Sequence, residues 1–479
     1  MIPLLAALAV TAAAPKPVAP AQSDFVLFVR SPRTGLPGLC AFLEEAGAYA
    51  PSLRPHALGT SLGSLLGADM LDTEALEQAG ADVDSPVTLS FSRNGSLLCF
   101  ETKGDTAQKR MEATLAGAGK REVRKHLGAK LVGSAPGRVW RAGYASKGTR
   151  TCVSSGATDA RPALEAAAAG MGKTSIATLK AFRAATASLS GPVVGFFSFG
   201  GVTGGFELEA AQSQLGLRGL ALFDRPLLDK PREADPLAGL HAPAAVTLFA
   251  SLSKQALSDK SGTAAKAMGF LVANACARCE ARTSTELLDA LRPHLFGSVA
   301  LVAPRVDPSS IGSALSQYFL FPHTYLLSLE KAEAAGAALT AFAKKLEAAG
   351  VEVSTEKNLG EGPHLAVKLG DRQVFTGIAG SVLYLSNERA TRDLSLAALK
   401  AAAPSLAPHA LSLRLDGPLA SSALRRVSIL DAPKSRELAA LFALGVEAGA
   451  LLRAAGIVTG HAQPEGKGAR FEIGFELKR

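Results

Sequence analysis

Between Ala332 and Asn387 apolar residues recur first at helical spacing, in AEAAGAALTAFAKKLEAAG, and then at the two-residue spacing of strands, in VEVSTEK, HLAVKLG and VFTGIAGSVLYLSN. The pattern predicts a helix followed by an antiparallel strand set. It recurs in weaker form 231 residues earlier, where Gly119 answers Gly350, Gly156 answers Asn387 and Arg161 answers Arg392. A second common offset, 212, relates Thr73-Glu74 to Thr285-Glu286 and Val87 to Val299. Constant offsets leave no insertion between these landmarks, which implies an internal duplication.

Taken in order, FVLFVRS (25–31) predicts a strand, Thr73 to Gln78 a short helix, and PVTLSF and LLCFETK a hairpin joined at Asn94-Gly95, residues that favour a tight turn. Asp105 is placed to cap the helix that runs to Ala118, and Gly119 to end it. GPVVGFFSF and FELEAAQSQLGLRGLALF alternate as antiparallel strands do. Four prolines between Phe223 and Pro243 resist both helix and sheet. After them come AVTLFASLS, the 332–387 stretch, a helix from Thr391 to Ala402, ALSLRLDG, a long Ala/Leu helix (Arg436 to Ala455) and a terminal hairpin. The expectation is an α+β chain of two tandem pseudo-repeat modules, each a mostly antiparallel sheet with helices packed on one face. Its boundaries are an export signal at 1–21, modules at 22–223 and 244–479, and a proline-rich linker at 224–243.

The composition fits a protein with more than one core: 479 residues, 48% hydrophobic and 19% charged. Net charge is +9, which favours anionic surfaces, but aromatics are only 6% and the cations are scattered, so nucleic acid is not an expected partner. IPLLAALAVTAAA followed by Ala19-Pro20-Ala21 reads as an export signal without an N-terminal cation. No later stretch offers the roughly 18 uninterrupted apolar residues of a membrane span, and Leu438 to Val458 carries Glu447 and Arg453. Export places the protein in the periplasm or outside a Gram-negative cell, where its five cysteines are free to pair.

Gly59-Thr60-Ser61-Leu62-Gly63 has the G-x-S-x-G form that presents a nucleophilic serine, yet PSLRPHAL before it is not the buried strand such an elbow requires. Ala167 to Thr174 fits a relaxed phosphate-loop pattern but follows a helix. The S-x-x-K motifs at Ser251 and Ser354 lack their partner motifs. Cys276 and Cys279 form C-x-x-C, read first as a local disulfide at a helix end; the other cysteines stand too far apart to complete a zinc set. Cys99 and Cys152 fall in strands of one sheet, where a bridge and simple burial are both open. The histidines show no metal spacing. In KREVRKHLGAK (120–130), Arg121 and Lys125 would share one face of a strand and Lys120 and Arg124 the other, a split that suits a solvated edge strand and leaves anion binding there as the sharper alternative.

With DVDSPV (82–87) following the short helix, the element order resembles that of a group of uncharacterised exported bacterial proteins, a domain-of-unknown-function family of duplicated α+β modules. The resemblance implies a fold and no activity. The functional expectation is a non-catalytic exported protein, without cofactor or metal, that binds an envelope component or protein in a groove between its modules. The alternatives are an exported serine hydrolase using Ser61 and a lipid carrier.

Overall fold

The computed structural model describes residues 19–92, 94–134, 139–155, 159–171, 175–199, 201–258, 289–304, 322–357, 359–369, 372–402, 407–421, 447 and 449–478. The chain divides into two compact units, Met1–Leu222 and Phe223–Arg479.

The first unit carries strands β1 (Phe25–Val29), β2 (Val87–Ser92), β3 (Gly95–Glu101), β4 (Arg121–His126), β5 (Ala129–Ser134), β6 (Ala142–Lys147), β7 (Arg150–Ser155), β8 (Val193–Phe199), β9 (Val202–Ala210) and β10 (Gln214–Phe223). Its helices are α1 (Pro32–Ala46), α2 (Pro55–Leu62), α3 (Thr73–Gln78), α4 (Thr106–Gly117), α5 (Arg161–Gly170) and α6 (Lys180–Thr186). The pairings give the order β10-β9-β8-β1-β2-β3-β7-β6-β5-β4.

The second unit has β11 (Val246–Ser251), α7 (Lys254–Ser258), β12 (Leu295–Ala303), β13 (Thr324–Leu329), α8 (Ala332–Ala348), β14 (Glu352–Thr355), β15 (His364–Leu369), β16 (Arg372–Ala379) and β17 (Val382–Ser386). These are followed by α9 (Arg389–Ala401), β18 (Leu411–Asp416), β19 (Ile457–Glu465) and β20 (Gly468–Glu476). Their order, β20-β19-β18-β11-β12-β13-β17-β16-β15-β14, is that of the first unit strand for strand.

Two features overturn the expected fold class of helix-covered modules. The framework is a large antiparallel sheet system in which strand outweighs helix, and the helices do not keep to one face. In the first unit Leu98, Phe100, Val132, Tyr144 and Val153 pack with Met111 and Leu115 of α4. Their strand neighbours Leu97, Cys99, Leu131, Ala145 and Cys152 pack on the other face with Ala163, Leu164 and Ala167 of α5. The second unit repeats this, with Tyr325, Leu327 and Leu365 against Leu339 of α8, and Leu326, Ala366 and Tyr384 against Leu396 of α9. Strand segments such as LLCF and VLYL are continuous apolar runs, which demand cover on both faces.

Local signals explain the element ends. Asp72 caps α3 by accepting from the amides of Glu74 and Ala75 at 2.9 and 3.2 Å. Asp105 precedes α4 but makes no side-chain cap; its carboxylate pairs with Lys109 at 2.8 Å instead. Gly119 and Gly350, one after each corresponding helix, both have positive φ, 128° and 79°. The proline-rich stretch 224–243 is irregular yet packed into the second unit, where Leu228, Leu237, Leu240 and Ala242 are buried. Ala19 is also wholly buried, in the first unit, and its carbonyl accepts from Ile176 N at 2.9 Å.

Candidate binding surface

Four strands of the first unit present one apolar face whose composition follows directly from register. Phe91, Phe25, Phe197 and Gly204 lie in a row across β2, β1, β8 and β9. Leu89, Leu27, Gly195 and Phe206 form the next row, and Val87, Val29, Val193 and Leu208 the third. The glycines make room for rings: a Cβ at Gly204 would come within 2.3 Å of the Phe197 ring, and one at Gly195 within 2.0 Å of the Phe206 ring. Each phenylalanine therefore lies across its neighbour's backbone. Phe25 bridges the set, with ring centroids 6.1 Å from both Phe91 and Phe206, separations at which aromatic pairs attract.

Cover over this face is uneven. The third row is roofed by α1, where Leu36 packs with Val29 and Val193 and a Cβ at Gly35 would meet Val29 at 2.6 Å. In the first row Phe91 is 44% exposed. The reverse face is closed: Val26, Phe28, Val194 and Phe196 pack against Phe182 and Ala185 of α6. The result is an aromatic shelf packed from below and exposed at Phe91.

Charged and polar groups are drawn into self-contained clusters elsewhere. On α4, Glu112 accepts from the Tyr144 hydroxyl at 2.7 Å and pairs with Lys130 and Arg121 at 2.7 and 3.1 Å. The Lys130 ammonium foremost, with Tyr144, holds the Glu112 carboxyl below its ordinary range, while burial and Glu112 hold the Tyr144 phenol well above its own. In the second unit Asp235 is wholly buried, and its Oδ1 accepts from Leu237 N at 2.9 Å and from Ser298 Oγ at 2.8 Å. Among the described residues its Oδ2 has no hydrogen-bond partner, and burial pushes its pKa up. Buried Arg392 pairs with Glu356 and Asp393 and lies over the Phe375 ring. His364, also buried, contacts the Tyr384 hydroxyl at 3.0 Å, and burial lowers its pKa. Among the described residues no three His, Cys, Asp or Glu side chains converge to hold a metal.

The residues singled out by sequence do not come together. Ser61 is exposed near the end of α2, inside a helix rather than at a strand-to-helix elbow. The neighbouring His56–Asp69 contact, 3.0 Å, starts from His56 five residues earlier, well round the helix from Ser61. Ser251 ends β11, and Ser253 caps α7 by accepting from Ala256 N at 3.0 Å. Residues 167–170 of the phosphate-loop match lie in the last turn of helix α5, and residues 172–174 lie outside the described residues. Cys276 and Cys279 also lie outside them. Cys99 and Cys152 are joined by a disulfide. The Cys40 thiol donates to Leu71 O at 3.4 Å, and burial raises its pKa.

The basic segment forms the edge strand β4, paired through β5 alone in the described registers. Arg121 and Arg124 face Glu112 and Glu122, so half of the expected anion patch is internally neutralised; Lys120 and Lys125 are exposed. Sequence reasoning missed the aromatic shelf and Asp235. The Gly-Phe alternations GFFSF and GGFELE were the available signal for the shelf.

Among the described residues no helix is long and apolar enough to cross a membrane, which leaves strands out of account. No family model and no curated protein matches the chain. One solved structure, titled "Structure of crystal form IV of TP0453", aligns at 9% identity over 51% of this chain and 80% of its own, with a TM-score of 0.25. A likeness of that size carries no argument.

Proposed function

We propose that the protein is an exported, non-enzymatic binding protein that takes an apolar group, such as an acyl chain or a partner's apolar side chain, on the shelf of Phe25, Phe91, Phe197 and Phe206. The observation that carries this reading is the uneven roof. Row three of this apolar face is roofed by α1, whereas in row one the Phe91 ring is 44% exposed next to Phe25. The Phe197 and Phe206 rings, seated against Gly204 and Gly195, lose little freedom when a ligand covers them, so their share of the burial free energy is available for binding. The Cys99–Cys152 disulfide supports export, because such bonds persist in oxidising compartments. The serine-hydrolase reading gains nothing from Ser61, which has neither the elbow nor an aligned histidine.

Titration with a dansyl-labelled fatty acid tests the proposal. The wild type is expected to bind it saturably. Phe91→Ser is expected to weaken binding by about tenfold or more, the scale of losing one buried aromatic contact, while emission from Trp140, the sole tryptophan, confirms the fold. Equal binding by the wild type and Phe91→Ser would remove the shelf as the site.

A further inference from the structure

The β4–β5 turn combines three features that folding alone does not require. Leu127 occupies a positive φ of 49°, a region that Gly or Asn enters at less cost, and it is followed by Gly128 at 78°. Its side chain is 59% exposed, so the strained residue is also an apolar one held in water. Finally, cations surround it. Lys125 precedes it on β4, Lys130 follows on β5, and Lys147 reaches across from the β6–β7 turn to donate to Leu127 O at 3.0 Å. Val123, 58% exposed, continues the apolar line along the same edge strand.

A turn that placed Asn or Gly here would be easier to form and more soluble. Strain, exposure and apolarity at one loop tip point to a partner that the side chain enters. The surrounding charge specifies that partner. Of these cations Lys130 is committed to Glu112, whereas Lys125 and Lys147 are exposed with no carboxylate partner described, on a chain of net charge +9. An apolar point ringed by ammonium groups matches a bilayer of anionic lipid, with the leucine in the headgroup layer and lysines on phosphates. The turn is also remote from the shelf: β3 starts beside Phe91, where Ser92 pairs with Gly95, and ends where Glu101 pairs with Arg150 at the β6–β7 turn.

We propose that the Leu127 turn, with Lys125 and Lys147, is a docking point for an anionic membrane surface. Flotation of the full chain with vesicles tests this, comparing pure phosphatidylcholine with the same lipid containing about 30 mol% phosphatidylglycerol. The protein is expected to float with the anionic vesicles only, and less at high salt. Leu127→Asn, which suits the turn, is expected to cut partitioning by about tenfold, and Lys125→Glu with Lys147→Glu to abolish it. Both variants are expected to keep wild-type Trp140 emission and fatty-acid probe binding, so failure here is distinguishable from failure of the shelf. Absence of flotation, or flotation unchanged in these variants, would overturn the proposal. Capture of polyglutamate without flotation would overturn it in favour of an acidic polypeptide.

Discussion

Cys99 and Cys152 stand directly opposite each other in the β3–β7 ladder, their α-carbons 4.0 Å apart, and a disulfide joins them. The bond closes a loop 53 residues long that contains α4 and strands β4 to β6. Both sulfurs belong to the cluster that holds Trp140. In a chain-entropy model, closure of a loop this long stabilises by about 4 kcal/mol. Denaturant unfolding followed by Trp140 fluorescence is therefore expected to shift to lower denaturant in the Cys99→Ala/Cys152→Ala variant. A midpoint indifferent to the double substitution would show that the sheet does not depend on the bridge.

Glu112 makes a prediction about acid. Its folded pKa is depressed, chiefly by Lys130 and then by Tyr144, so its contribution is complete above its ordinary value of 4.5 and disappears as pH falls through the lowered folded value. Glu112→Gln is expected to cost about 1 kcal/mol near neutrality, a modest figure because the carboxylate is partly solvated. Once pH falls below that lowered folded value the variant and wild type are expected to converge. Paired thermal melts at the two pH values check this, and a constant difference between them would assign the role of Glu112 to packing.

How much of this was readable beforehand depended on the range of the signal. The helix Ala332–Ala348 shows its one-sided spacing within its own residues, and the β2–β3 turn follows from Asn94-Gly95. The positive φ of Gly119 and Gly350 likewise follows from their places after helices. The two-sided burial of β3 was present in LLCF, but a strand's need for a second cover does not say which helix supplies it. The shelf joins Phe25, Phe91, Phe197 and Phe206 from strands far apart in sequence, and register alone brings them together. Ser61 carried a local motif whose meaning depended on a backbone shape that the motif does not encode.

Asp235 is the sharpest case of a residue whose environment its neighbours conceal, since Pro231 and Pro236 announce an irregular segment and nothing announces complete burial. Its folded pKa is raised, with burial the largest cause, so its contribution is full below its ordinary value of 3.8 and is lost as pH rises through the folded value. Asparagine keeps the acceptor used by Leu237 N and Ser298 Oγ and carries no charge to desolvate. Asp235→Asn is therefore expected to match the wild type at low pH and to equal or exceed it near pH 7. Asp235→Ala, which strands both donors, is expected to lose about 2–3 kcal/mol throughout. Thermal melts of the three proteins across this range separate the possibilities. If asparagine proves as damaging as alanine at neutral pH, the ionised carboxylate is itself required, and Arg232, which favours the charged form, becomes the partner to replace next.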